Sequence, residues 1–117
     1  MLSIPRQTRI YLCAEPTDMR KGFDTLAAVV RDSLGEDPLS GHLFVFRGRR
    51  GDRIKLLWWD ADGWALFYKR LETGRFQFPT ARADQRSVTV TAADLAMLLD
   101  GVDLASVRRA RRYRRPA

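Results

Sequence analysis

Hydrolytic and metal chemistry need acids, imidazoles and thiols in clusters. Asp60 and Asp62 form an acidic pair with Glu72 downstream, and a metal-dependent nuclease or transposase would use such carboxylates to hold a divalent ion. The same residues spell DADG, which is ordinary hairpin chemistry with Asp62-Gly63 in the turn. The stretch opens like a calcium loop but lacks the later ligands and the closing glutamate. It is read as a turn. His42 is the only histidine and Cys13 the only cysteine, which supports neither a zinc site nor a catalytic triad, and both are read as structural. Gly48–Gly51 (GRRG) lacks the GK[ST] ending of a P-loop. These residues imply no catalytic set, no metal and no cofactor.

The bases carry more. Arg47, Arg49, Arg50, Arg53 and Lys55 surround the GRRG turn, interrupted only by Asp52, and Lys69, Arg70 and Arg75 lie one hairpin away. Phosphate contact is the chemistry they suit. Trp59 and Phe67 would stack on bases if exposed beside them, but large exposed apolar patches are uncommon, and both are read as buried. Net charge is +7, and six arginines (Arg108, Arg109, Arg111, Arg112, Arg114 and Arg115) sit in residues 108–115, leaving 15 bases against 14 acids elsewhere. A nearly neutral body with a cationic arm suits a polyanion, most often nucleic acid.

These residues must be positioned by the stretch from Gly41 to Phe78. Leu43–Arg47, Arg53–Asp60 and Trp64–Leu71 have strand length and are rich in β-branched and aromatic residues, with turn clusters between them and Arg75–Phe78 after a further turn. The spacing predicts consecutive antiparallel hairpins. A three-residue loop Ala61-Asp62-Gly63, closed by Gly63 at positive φ, sets Asp60 opposite Trp64, Trp58 opposite Leu66 and Leu56 opposite Tyr68. Alternation then puts Ile54, Leu56, Trp58, Trp64, Leu66 and Tyr68 on a core face, and Lys55, Leu57, Trp59, Phe67 and Lys69 on the other. Before this stretch, Arg9–Glu15 reads as a strand. Asp18–Leu34 reads as one long helix with a stripe of Met19, Phe23, Leu26, Ala27, Val30 and Leu34, ended by Gly35. After it, Ser87–Val90 alternates as a last strand. Thr91 to Asp94 looks like a capping box opening a short helix with Leu95, Leu98 and Leu99, and Val102–Val107 continues it.

The expected class is α+β: a mainly antiparallel β-meander with the long N-terminal helix and the short C-terminal helix on one face. At 117 residues, residues 1–107 read as a single domain and 108–117 as a disordered Arg-rich tail. The lone cysteine, and an N-terminus without a long apolar core, point to the cytoplasm, with no signal peptide and no membrane partner. Oligomeric state is left open.

Two stretches together, DMRKGFDTLA (Asp18–Ala27) and DPLSGHLFVFRGRRGDRIKLLWWDADGWALFYKRLETGRFQFP (Asp37–Pro79), resemble the small TnpB, or Orf2-like, accessory protein of the insertion-sequence family numbered sixty-six. The likeness spans roughly residues 9–104 and leaves the arginine tail outside it. The resemblance implies a bacterial protein encoded beside a separate, larger transposase and needed for efficient transposition. The large RNA-guided nuclease that shares the TnpB name is a different protein. The reading is a non-enzymatic transposition factor binding DNA, the co-encoded transposase, or both. The alternative is a protein-protein interaction module without direct nucleic-acid binding.

Overall fold

Leu43-Phe44-Val45-Phe46 is apolar without alternation, the pattern of a strand covered on both faces. In the computed structural model, which describes residues 4–101, these residues are all buried at the centre of a five-stranded sheet. The elements in chain order are β1 (Ile10–Cys13), α1 (Phe23–Asp32), β2 (Leu43–Arg47), β3 (Arg53–Asp60), β4 (Gly63–Arg70), β5 (Ser87–Val90) and α2 (Ala92–Leu99). The strand order across the sheet is β4-β3-β2-β1-β5. The class is α+β.

Three features of the expected architecture need correction. The sheet is mixed: β1 runs parallel to β2 (Ile10 beside Leu43), while β1–β5, β2–β3 and β3–β4 are antiparallel. A parallel neighbour needs a long crossover, and α1 supplies it. Neither helix is long, since α1 has 10 residues and α2 has 8. The helices also cover opposite faces. Leu26, Ala27, Val30 and Leu34 pack with Tyr11, Phe44, Phe46 and Leu57. Leu95, Leu98 and Leu99 pack on the other side with Ile10, Leu12, Val45, Ile54 and Leu56.

The first helix is shortened by a competing turn. The Asp18 carboxylate accepts from the Arg20 backbone N–H (2.9 Å), and the Lys21 N–H donates to the Asp18 carbonyl (3.1 Å). Such local side-chain bonds divert the backbone from helix. Gly22 is therefore the N-cap rather than a helix-interior residue, and its N–H donates to Thr25 Oγ1 (3.0 Å). Gly35 takes φ +68° after the last turn. The second helix opens with the expected box: Asp94 N–H donates to Thr91 Oγ1 (3.0 Å) and Thr91 N–H to Asp94 Oδ2 (3.2 Å). Val102–Val107 lies outside the described residues.

The β3–β4 register also differs from the expected one by a residue. Asp60 pairs with Gly63, Trp59 with Trp64, Leu57 with Leu66, Leu56 with Phe67 and Lys55 with Tyr68. Ala61, not Gly63, takes the positive φ (57°), and the Asp62 N–H closes the turn on the Asp60 carbonyl. A one-residue slip exchanges the faces of one strand against the other. Trp64, Leu66 and Tyr68 thus join Lys55, Leu57 and Trp59 on the α1 side, while Phe67 and Lys69 join Ile54, Leu56 and Trp58 on the α2 side. The register has a direct test. Ala61→Gly should stabilise by about 0.5–1 kcal/mol, relief of left-handed strain outweighing the extra chain entropy of glycine. Gly63→Ala should change little, as no atom lies within 4 Å of an added Cβ. Urea unfolding of the two variants reads both values, and a destabilised Gly63→Ala with a neutral Ala61→Gly would restore the three-residue loop.

Arg75–Phe78 is a strap, not a strand. Its Phe76 N–H donates to the Gly51 carbonyl (2.8 Å) and its Phe76 ring is buried in the α2-side core.

A candidate nucleic-acid interface at the β2–β3 turn

The turn between β2 and β3 places its arginines by backbone geometry. Gly51 N–H donates to the Gly48 carbonyl (3.0 Å), so Arg49 and Arg50 occupy the two corner positions of a β-turn, and both are exposed. Gly51 then takes φ +81°, which returns the chain to β3 and favours glycine. The strap fixes Arg75 beneath this corner, with its side-chain carbons 3.4–3.5 Å from where a Gly51 Cβ would stand. Behind the turn, Gly48 packs so closely on Met19 that an added Cβ would lie 2.9 Å from Met19 Cγ. This contact ties the Asp18–Arg20 turn to the same end of the sheet.

The corner separates two open grooves. One, about 540 Å³, runs from Thr17–Arg20 past Arg49 and Arg50 to Arg53. The other, about 450 Å³, is bounded by Glu15, Arg47, Arg75 and Arg82. Arg20 and Arg82 are basic neighbours that sequence reading passed over. Each is paired with a nearby acid, Arg20 with Asp18 (2.7 Å) and Arg82 with Asp84 (3.2 Å). The Arg20 side chain, then the Arg20 backbone N–H, hold the Asp18 carboxyl far below the usual carboxylate range, so that acid stays ionised. Asp52 lines the first groove beside Arg49 and Arg50, together with Asp18 that is paired to Arg20, and Glu15 lines the second beside Arg75.

Arg53 and Arg70 are also brought here, directly opposite one another across β3–β4. The next residue pair, Asp52 and Leu71, is joined by a Leu71 N–H to Asp52 carbonyl bond (2.8 Å), so Arg53–Arg70 falls on the closer, non-bonded rung. Like charges there are unfavourable. Arg53 donates to the Tyr68 hydroxyl (3.2 Å), and Arg70 reaches Glu72 (3.1 Å) in a solvent-exposed pair.

Three of the expected bases are structural instead. Lys55 is buried at 6% exposure, donates to the Lys21 carbonyl (2.7 Å) and lies 4.6 Å from the Tyr68 ring centroid. Arg47 donates to the Ala14 carbonyl (3.0 Å), sits over the Phe78 ring, and has a buried Nε without a partner among the described residues. Lys69 turns to the α2 side, where it donates to the Leu99 carbonyl (2.9 Å) at the helix end. Arg108, Arg109, Arg111, Arg112, Arg114 and Arg115 lie outside the described residues. Trp59 and Phe67 are half-buried on opposite faces, so they form no common stacking platform.

Of the remaining reactive groups, Cys13 is buried and His42 is tied to the backbone, while the acidic pair lies at the surface. Burial is the main cause that raises the Cys13 thiol pKa. His42 Nδ1 accepts from the Arg9 N–H (3.0 Å). Asp60 and Asp62 are both exposed at the β3–β4 turn. Among the described residues no three His, Cys, Asp or Glu side chains gather as metal ligands, and no helix is long and apolar enough to cross a membrane.

The model of the family described as IS66 Orf2 like protein matches residues 8–109. The chain belongs to this family. As an IS66 Orf2-like protein it is a transposition-associated accessory protein. The match takes in every element described above and stops short of Arg111, Arg112, Arg114 and Arg115. It is similar to two Sinorhizobium fredii (strain NBRC 101917 / NGR234) proteins, each described only as uncharacterized. One, y4hO, is 43% identical over 103 residues, covering 88% of each chain. The other, y4jC, is 35% identical over 109 residues, covering 93% of this chain and 92% of its own. No solved structure gives a significant match.

Proposed function

We propose that this IS66 Orf2-like protein acts in transposition without catalysing strand chemistry, by binding DNA through its phosphates. What carries the reading is the β2–β3 corner: Arg49 and Arg50 on an exposed turn with Arg75 held beneath them, between grooves lined by seven arginines and three acids, Glu15, Asp18 and Asp52. Guanidinium groups suit phosphate oxygens because they offer paired donors in a fixed plane. Arg53 and Arg70 add positive potential behind the corner, and the six tail arginines add a second cationic segment. Contacts of this kind set affinity and position but read no sequence. The co-encoded transposase would then supply cleavage and joining.

A second reading, docking on a protein such as that transposase, is favoured by a separate groove of about 400 Å³ lined by Ile4, Pro5, Leu43, Trp58 and Trp59. Mobility-shift titrations across salt concentration separate the two. Arg49→Ala/Arg50→Ala should weaken duplex binding and flatten the slope of log affinity against log salt by roughly 1–2 units. Absence of any shift by the intact protein at low salt would sink the DNA reading and leave the protein-docking one.

A further inference from the structure

The far edge of the sheet supplies an observation that the basic corner does not use. β4 is an edge strand of 8 residues, and its interior, Trp64-Ala65-Leu66-Phe67-Tyr68, carries neither charge nor proline. Edges of this length and composition are usually blunted, because their free N–H and C=O groups pair with any strand that presents itself. The Leu71 N–H to Asp52 carbonyl bond fixes the phase of the β3–β4 ladder. Counting back in twos, Leu71, Lys69, Phe67 and Ala65 bond to β3, so Trp64, Leu66, Tyr68 and Arg70 turn their backbone groups outward.

From this phase we infer that two copies of the chain pair through β4, antiparallel, with Leu66 opposite Leu66 and the sheet continued across both. A twofold axis perpendicular to the sheet keeps the α1 faces on one side, so the residues that meet must share a face. In this register Trp64 meets the partner's Tyr68, and Asp62 meets the partner's Arg70. Every one of these rungs uses residues whose backbone groups point outward or lie at the strand ends. Charge supports the same alignment. Asp60 and Asp62 are exposed at the start of β4, and Arg70 is exposed at its end, so antiparallel pairing sets acid against base twice per interface. A parallel partner would set like against like. The pairing also relieves the Arg53–Arg70 opposition within each chain, where the acid that meets Arg70 among the described residues is the solvent-exposed Glu72.

The test is the solution mass of nuclease-treated full-length protein, by sedimentation or light scattering, across concentration. Twice the 13.4 kDa chain mass is expected at high concentration. Arg70→Asp should weaken self-association about tenfold, as two cross-strand pairs turn from attractive to repulsive. Arg70→Asp combined with Asp62→Arg should restore it. Tyr68→Pro should abolish it, because the lost N–H belongs to the outward ladder and edge strands accept proline. Circular dichroism of each variant confirms folding, and the charge-swap pair carries the test should Tyr68→Pro fail to fold. A protein that stays monomeric at all concentrations overturns the inference. So does a dimer indifferent to the charge swap, which would place the contact on another surface.

Discussion

Phe44→Ala will destabilise the protein by about 3–5 kcal/mol, the usual range for truncating a fully buried phenylalanine. Phe44 is 0% exposed on the central strand, and its ring stacks on Tyr11 with centroids 5.4 Å apart. Leu57 and the α1 stripe close over it from the same side. Strands on both sides hold the β2 backbone in place, so the surroundings relax only in part. Trp59→Ala should cost less, about 1–2 kcal/mol, although tryptophan is the larger side chain. It is half-buried near the end of β3, and its main ring partner is Trp64, edge-on at 5.1 Å, a contact worth about 0.5–1.5 kcal/mol. Urea midpoints at constant m-value give both numbers. A larger loss for Trp59→Ala would mean that the α1 side is packed around the outer hairpin rather than the central strand.

The contrast between these aromatics shows what the chain's pattern made legible. Leu43–Arg47, Arg53–Asp60 and Ser87–Val90 coincide with β2, β3 and β5, because β-branched and aromatic runs bounded by turn residues leave little choice. The second helix was equally clear, since its capping box is a local bond pair. Layering was less accessible. The unbroken apolar run of β2 signals burial on both faces, but a meander with helices on one face ignores that signal. Recognising it would have demanded a second layer, and hence one helix on each side. The β3–β4 register turned on whether Ala61 or Gly63 takes positive φ, and local preference favours glycine. Tertiary pairing overrode it.

The site was legible in part for a similar reason. Arg49 and Arg50 are placed by a turn that the sequence spells out. Lys55 and Lys69 look the same in a list of bases, yet the sheet turns one under Tyr68 and the other towards the end of α2. Long cationic stems can cover apolar surface while the head finds a carbonyl, so charge alone does not mark a lysine as free. Arg75 became part of the corner only because the strap bonds to Gly51.

Deleting residues 108–117 will flatten the salt dependence of DNA binding more than any change at the corner. The deletion removes six arginines and takes the net charge from +7 to +1. Each phosphate neutralised on duplex DNA contributes about −0.9 to the slope of log affinity against log salt, so engagement of four to six arginines corresponds to about 3–5 units. Loss of Arg49 and Arg50 removes two charges and roughly 1–2 units. The segment brings one large apolar side chain, Tyr113, so thermal unfolding should move little when it is removed. The two variants therefore separate two sources of the same electrostatic term. A slope unchanged by the deletion but reduced by Arg49→Ala/Arg50→Ala would confine phosphate contact to the β2–β3 corner. A slope abolished by the deletion alone would make the corner a bystander and the arginine segment the whole of the non-specific affinity.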